Sequence, residues 1–163
     1  MEKIVLFLFI TLTAGLLLTN IYTSMVDSVS WDSEIPTSIQ TAREYFKVID
    51  PGDFFRVFSP LNQFVAFLSL VLCWHKSRQA RIFIGIAFGL VIAADVMTFA
   101  YFYPRNAIMF EGPMDDVSVI KSAAEQWASM NWLRSFIVAA GLCFAFLGLN
   151  EIYKNEYSVK LDM

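Results

Sequence analysis

Asp95 and Arg134 are the two side chains from which chemistry can first be argued. Asp95 is the one acidic residue deep within an apolar run, and Arg134 stands inside the next run. Asn131, Arg134 and Ser135 are spaced i, i+3, i+4 and share a helical face. A guanidinium stays protonated and needs an anion, and an ionised carboxylate at depth must be paired or neutralised, so Asp95 and Arg134 are expected to meet. Thr98 follows Asp95 by nearly one turn, and Tyr101 and Tyr103 stand beside the exit of the same run. Buried polar residues of this kind are the first place to look for function in such a chain.

Four apolar segments must carry these groups. The 163 residues are 57% hydrophobic and 16% aromatic, with a mean hydropathy of +0.55, too apolar for a soluble domain. The expected fold is all-α: one integral membrane domain over 1–163, a four-helix bundle running up-down-up-down with both termini inside. Its spans are expected at about 4–25, 60–74, 82–103 and 128–150, with outer loops at 26–59 and 104–127. The first apolar run has no small-residue cleavage site after it and reads as a retained anchor. Thr13, Asn20 and Ser24 fall on one face of it, expected to turn inward.

Pro36 can open a short amphipathic helix in the first outer loop, with Ile39, Ala42, Phe46 and Ile49 on its apolar face and Glu44 and Lys47 towards water. Trp31, Tyr45 and Phe54-Phe55 fit an interfacial aromatic belt. Pro60 is expected to begin the second span and Pro104 to stop the third, and Asp115 or Asp116 can cap the fourth. Gly85, Ala87, Gly89, Ala93 and Ala94 permit close helix approach in the third. The cluster His75, Lys76, Arg78 and Arg81 marks the cytoplasmic turn, which places the protein in the cell (inner) membrane as a multi-pass protein.

A net charge of −3 and a pI near 5.1 give no basic track, so nucleic acid is not an expected partner. Cys73 and Cys143 lie in apolar segments and read as small buried hydrophobes. One His and no ligand-spaced Cys pattern leave no recognisable metal or cofactor site. Asn20 and Ser24, Asn62 and Gln63, Asp95 and Thr98, and Asn131 and Arg134 all fall in the outer halves of their spans, above an inner half of aliphatic, Phe, Ala and Gly residues. That layering predicts a polar pocket open to the non-cytoplasmic side, roofed by the 36–49 segment. A polar network that only clamps the bundle is the alternative. A lipophilic small molecule is the expected ligand; a homo-oligomer or a larger membrane complex is a further expected partner.

The pattern Pro104-Arg105-Asn106, then Trp127, a polar residue four further on and Arg134 three beyond it, resembles the anthrone oxygenase-like family of small membrane proteins. The resemblance is most specific over roughly 99–147. It implies oxygenation of an anthrone to an anthraquinone by molecular oxygen without a metal or flavin. It further implies that Arg134 steadies a substrate anion and that Asn106 and Asn131 bond substrate oxygens; Trp127, within the same pattern, is a further candidate substrate-binding residue. Family members often carry His where this chain has Asn131; an amide is no general base near neutral pH, which leaves Asp95 as the candidate base. A non-catalytic lipid or quinone binder, or an accessory subunit, is the other functional class.

Overall fold

In hydrocarbon the backbone N–H and C=O groups have no partners but each other, so long apolar runs fold as helices. The computed structural model of the protein describes residues 1–161 and holds, among them, helices and no strands. Four of its helical rods are long and apolar enough to cross a membrane: Glu2–Asp32, Pro51–Leu72, Arg78–Glu111 and Val117–Asn155. The first comprises α1 (Glu2–Tyr22), a π-helical turn (Thr23–Asp27) and α2 (Ser28–Asp32). A separate α3 (Thr37–Tyr45) precedes α4 (Pro51–Leu72). The third rod is α5 (Arg78–Met97), a π turn (Thr98–Phe102), α6 (Tyr103–Asn106) and another π turn (Ala107–Glu111); the last is α7 (Val117–Leu161). α7 packs along α5 and α1, and α4 along α1 and α5, which closes the ring of four.

Helix starts are set by local chemistry. Asp50 caps α4 by accepting the Asp53 amide at 3.0 Å while the Asp53 carboxylate accepts the Asp50 amide at 2.9 Å, and Pro51 occupies the first turn. This reciprocal cap starts the helix at Pro51 rather than at Pro60, the start expected from sequence. Pro60 then lies in the helix interior, where it forgoes one backbone bond. Asp116, of the two acids considered, caps α7 by accepting the amides of Ser118 at 3.1 Å and Val119 at 3.2 Å.

Pro104 does not stop the third span either. It follows directly on a π turn, closed by the Tyr103 amide on the Thr98 carbonyl, where the regular hydrogen-bond ladder is already shifted. Arg105 curls back and donates to the Tyr101 carbonyl at 2.9 Å, so the widened turn keeps its acceptors satisfied.

Two apolar cores form. One fills the bundle with Leu6, Phe9, Ala66, Ile84, Ala87 and Ala145 among others. Gly148 of α7 lets α7 lie close on α5, since a Cβ there would stand 2.7 Å from Ile84 Cγ1. The closest approach is thus made by a glycine of α7, whereas Gly89 of α5 faces open space and Ala93 is exposed. The second core sits at the other end, where Trp31, Ile39, Ala42, Phe102, Met109 and Trp127 are all buried. Trp31 is therefore a core residue and not part of an interfacial belt, while Tyr45 and Phe54 are exposed. α3 ends at Tyr45, so Ile49 lies beyond its apolar face and is exposed. Cys73 is buried, but Cys143 is exposed on the outside of the bundle, where a thiol behaves as one more lipid-facing apolar group. The first-span face expected to turn inward does so: Thr13, Asn20 and Ser24 are all buried.

Candidate functional site

The third rod supplies one wall of a large cavity, of about 1070 Å³. Its contributors are Asp95, Thr98, Phe99, Phe102, Tyr103, Asn106, Ala107, Phe110 and Glu111, that is, two rows with a strict step of four residues. A helix of 3.6 residues per turn would rotate by about 40° at each such step and carry the row out of the cavity. The two wider π turns in this rod absorb the drift, and the rows stay straight. The remaining π turn, in the first rod, brings Thr23 to the same cavity. π turns are frequent at functional sites, and here all three in the described residues border one chamber.

Facing this wall, α4 presents Phe55, Ser59 and Gln63, each one turn from the next. Gln63 donates a hydrogen bond to the Asp95 carboxylate, and Ser59 borders the same space. Arg134, reaching from α7, is buried, at 6% exposure. It donates through Nη1 to Thr98 Oγ1 at 3.1 Å and through Nη2 to Asn131 Oδ1 at 2.6 Å, and its guanidinium lies 4.2 Å from the Phe102 ring centre and 5.4 Å from that of Phe55.

Asp95 and Arg134 thus line the same chamber but do not form the expected direct ion pair, since no contact within 4.0 Å joins them. Each is held by neutral hydrogen-bonding side chains instead. A smaller polar recess of about 30 Å³ continues inward, bordered by Asn20, Asn62, Gln63, Asp95, Thr98 and Arg134.

Asn131 is fully buried and lines neither space. Its amide donates to the Asn20 carbonyl at 3.1 Å, Thr23 Oγ1 at 3.0 Å and Ser24 Oγ at 2.7 Å, while its oxygen accepts Arg134. It ties α7 to the first rod and aims the guanidinium; in this arrangement it does not itself reach a ligand. Asn62 accepts from Thr13 Oγ1 at 3.1 Å and borders the recess. Tyr101 lines neither space: its ring lies 3.3 Å beneath the Arg105 guanidinium, and Tyr103 takes the cavity position.

Among the described residues, four buried polar atoms lack a partner: Asn20 Oδ1, Asn106 Oδ1, Trp127 Nε1 and Arg134 Nε. They belong to residues bordering the recess or the chamber but are themselves closed off within the packed walls. Unmade hydrogen bonds of buried groups cost about 1–3 kcal/mol each, so these walls carry polar groups at a cost to stability.

Sequence reasoning missed Ser59, Phe55 and Arg43. Ser59 and Phe55 fall before Pro60, in residues read as loop, though their spacing to Gln63 carried the signal. Arg43 pins α3 over the cavity end by donating to the Met109 carbonyl at 2.9 and 2.7 Å and to that of Gly112 at 2.9 Å. No group of three or more His, Cys, Asp or Glu side chains converges among the described residues.

Comparison with known proteins gives one family. The sequence pattern described as anthrone oxygenase matches residues 54–144, which include α4 from its first turn, all of the third rod and Arg134. No curated protein and no solved structure matches the chain. With more than half its length matched, and with the matched part contributing Asp95, Arg134 and two walls of the chamber, this chain belongs to the anthrone oxygenase family.

Proposed function

We propose that the protein is a membrane-embedded oxygenase that acts on a lipophilic, anthrone-like or quinol-like aromatic, with Asp95 as base and Arg134 as anion stabiliser. The observation that carries this reading is the placement of an acid and a cation, separately held and not paired with one another, on one chamber of about 1070 Å³ in a chain of this family. Anthrone C–H bonds are acidic because the resulting anion is an aromatic phenolate. Asp95 takes the proton, and the Arg134 guanidinium stabilises the phenolate oxygen by its charge. Asn106 and Trp127 form part of the wall against which the aromatic lies.

The electron-rich anion transfers an electron to dioxygen, and recombination gives a carbon-bound peroxide that is protonated. Loss of the second C–H proton with cleavage of the O–O bond forms the new carbonyl and releases water. The balance is one CH₂ and one O₂ to one C=O and one H₂O. The walls of Phe55, Phe102 and Phe110 keep the anion dry.

The chamber end is proposed to face away from the cytoplasm, supported by the basic turn with Lys76, Arg78 and Arg81 at the opposite end of the bundle. The test is oxygen uptake by purified protein in lipid with an anthrone. Asp95→Asn should abolish uptake while leaving substrate binding largely intact; unchanged turnover in that variant would remove the assignment. A non-catalytic binder of a quinone or lipid is the second reading. The chamber lies at the upper end of small-molecule pockets, which run to about 1,000 Å³, and that size favours it. It predicts binding without oxygen consumption.

A further inference from the structure

The route into the chamber is written in the packing of α4. This helix is one of the four apolar spans, yet none of its residues before Asn62 is buried. Its principal packing is on α1 and α5, and it makes no comparable contact with the second π turn or α6, the upper part of the third rod. Between these two walls lies the chamber, with Phe55, Ser59 and Pro60 on one side and Asp95, Phe99 and Tyr103 on the other.

The edges of that gap are apolar. Phe99 is 65% exposed, and Phe58 and Tyr103 are also exposed on the outside of the bundle. Ser59 is eight residues into α4, about 12 Å along a span that must cross roughly 30 Å of hydrocarbon, so the gap opens at the depth of acyl chains. The chamber lining also carries the charged side chains Lys47, Asp50, Arg56 and Glu111.

We infer that the gap between the first half of α4 and the Thr98–Asn106 stretch is a lateral portal, through which a membrane-dissolved amphiphilic aromatic enters the chamber from the lipid. The polar end of such a molecule is drawn inward by Asp95, Thr98 and Arg134, and its apolar remainder stays between Phe55 and Phe99. This inference rests on the reading of the chamber as a ligand site and not on turnover.

The chain offers its own probes. Trp31 and Trp127 line the chamber, whereas Trp74 and Trp132 are exposed on the outside. With Trp74→Phe and Trp132→Phe in place, emission comes from the two chamber tryptophans alone. In bilayers of brominated phosphatidylcholine, a contact quencher on the acyl chain, this emission should fall relative to unbrominated lipid. Phe99→Ala, which widens the gap, should deepen the loss, and Ser59→Phe, which fills it, should reverse it, with far-UV circular dichroism checking that each variant folds. Absence of quenching by brominated lipid overturns the portal, whether or not aqueous iodide quenches, as does quenching that neither variant changes. Because the readout needs no catalysis, loss of the portal and loss of the oxygenase reading are separately visible.

Discussion

Asn131 and Arg134 are one turn apart and do different work. Arg134 borders the chamber, whereas Asn131 spends its amide on three acceptors of the first rod. Arg134→Leu should therefore keep the fold and lose the ligand, as read by thermal unfolding and by binding of a fluorescent anthrone. Asn131→Leu should instead lower stability, by about 1–3 kcal/mol for each buried group left unpaired, seen as a lower unfolding midpoint in detergent. If Arg134→Leu simply unfolds the protein, the polar layer is a clamp and not a site. The polar types and their depth were legible in sequence. The missing ion pair was not, because competition from Gln63, Thr98 and Asn131 for the two charges depends on side chains from three helices.

Individual helices carry their own tests. Hydrogen bonds from the Ser118 hydroxyl, with help from the Val119 amide, hold the Asp116 carboxyl below its ordinary range. A carboxyl depressed on folding contributes stability above its unfolded pKa and loses it as pH falls through the lower, folded value. The first turn of α7 should accordingly stay protected at neutral pH and fray on acidification below about pH 4, measured by amide hydrogen exchange at 118–120. Asp116→Asn should remove most of that pH dependence while retaining a cap. At the α5–α7 contact, Gly148→Leu would drive a side chain into Ile84 and should destabilise by about 1–3 kcal/mol in an unfolding titration, with Gly89→Leu as a near-neutral control. Prolines misled the reading at this scale: Pro60 and Pro104 look like breakers, but a strong cap upstream and a π turn alongside absorb them. The same π turn explains why Tyr103 and not Tyr101 reaches the chamber, since a period of 3.6 read off the sequence cannot anticipate rows stepping by four.

For the molecule as a whole, four apolar rods were readable from hydropathy alone, whereas the buried polar residues extend beyond the expected layer to Thr13 and Ser69. The outer core was not readable, because Trp31, Ile39, Met109 and Trp127 come from segments far apart in sequence and only meet in space. Orientation is open to a direct check. With Cys73 and Cys143 replaced by Ala, a single Cys at Val48, which is fully exposed, should react with a membrane-impermeant maleimide in intact cells, and one at His75 should react only after lysis. The reverse pattern would turn the chamber to the cytoplasm.

At the end remote from the chamber, Lys76 Nζ holds Glu2 at 2.8 Å, Asn155 donates to the Lys76 carbonyl at 2.7 Å, and Lys3 sits 4.1 Å over the Tyr153 ring. The α4–α5 turn is thereby tied to the first and last rods, while the opposite half is held by the Trp31–Trp127 core and by Arg43 on the Met109 and Gly112 carbonyls. Of the four rods, α4 has no buried residue before Asn62, so its first half is the part of the bundle that can shift at the least cost in buried contacts.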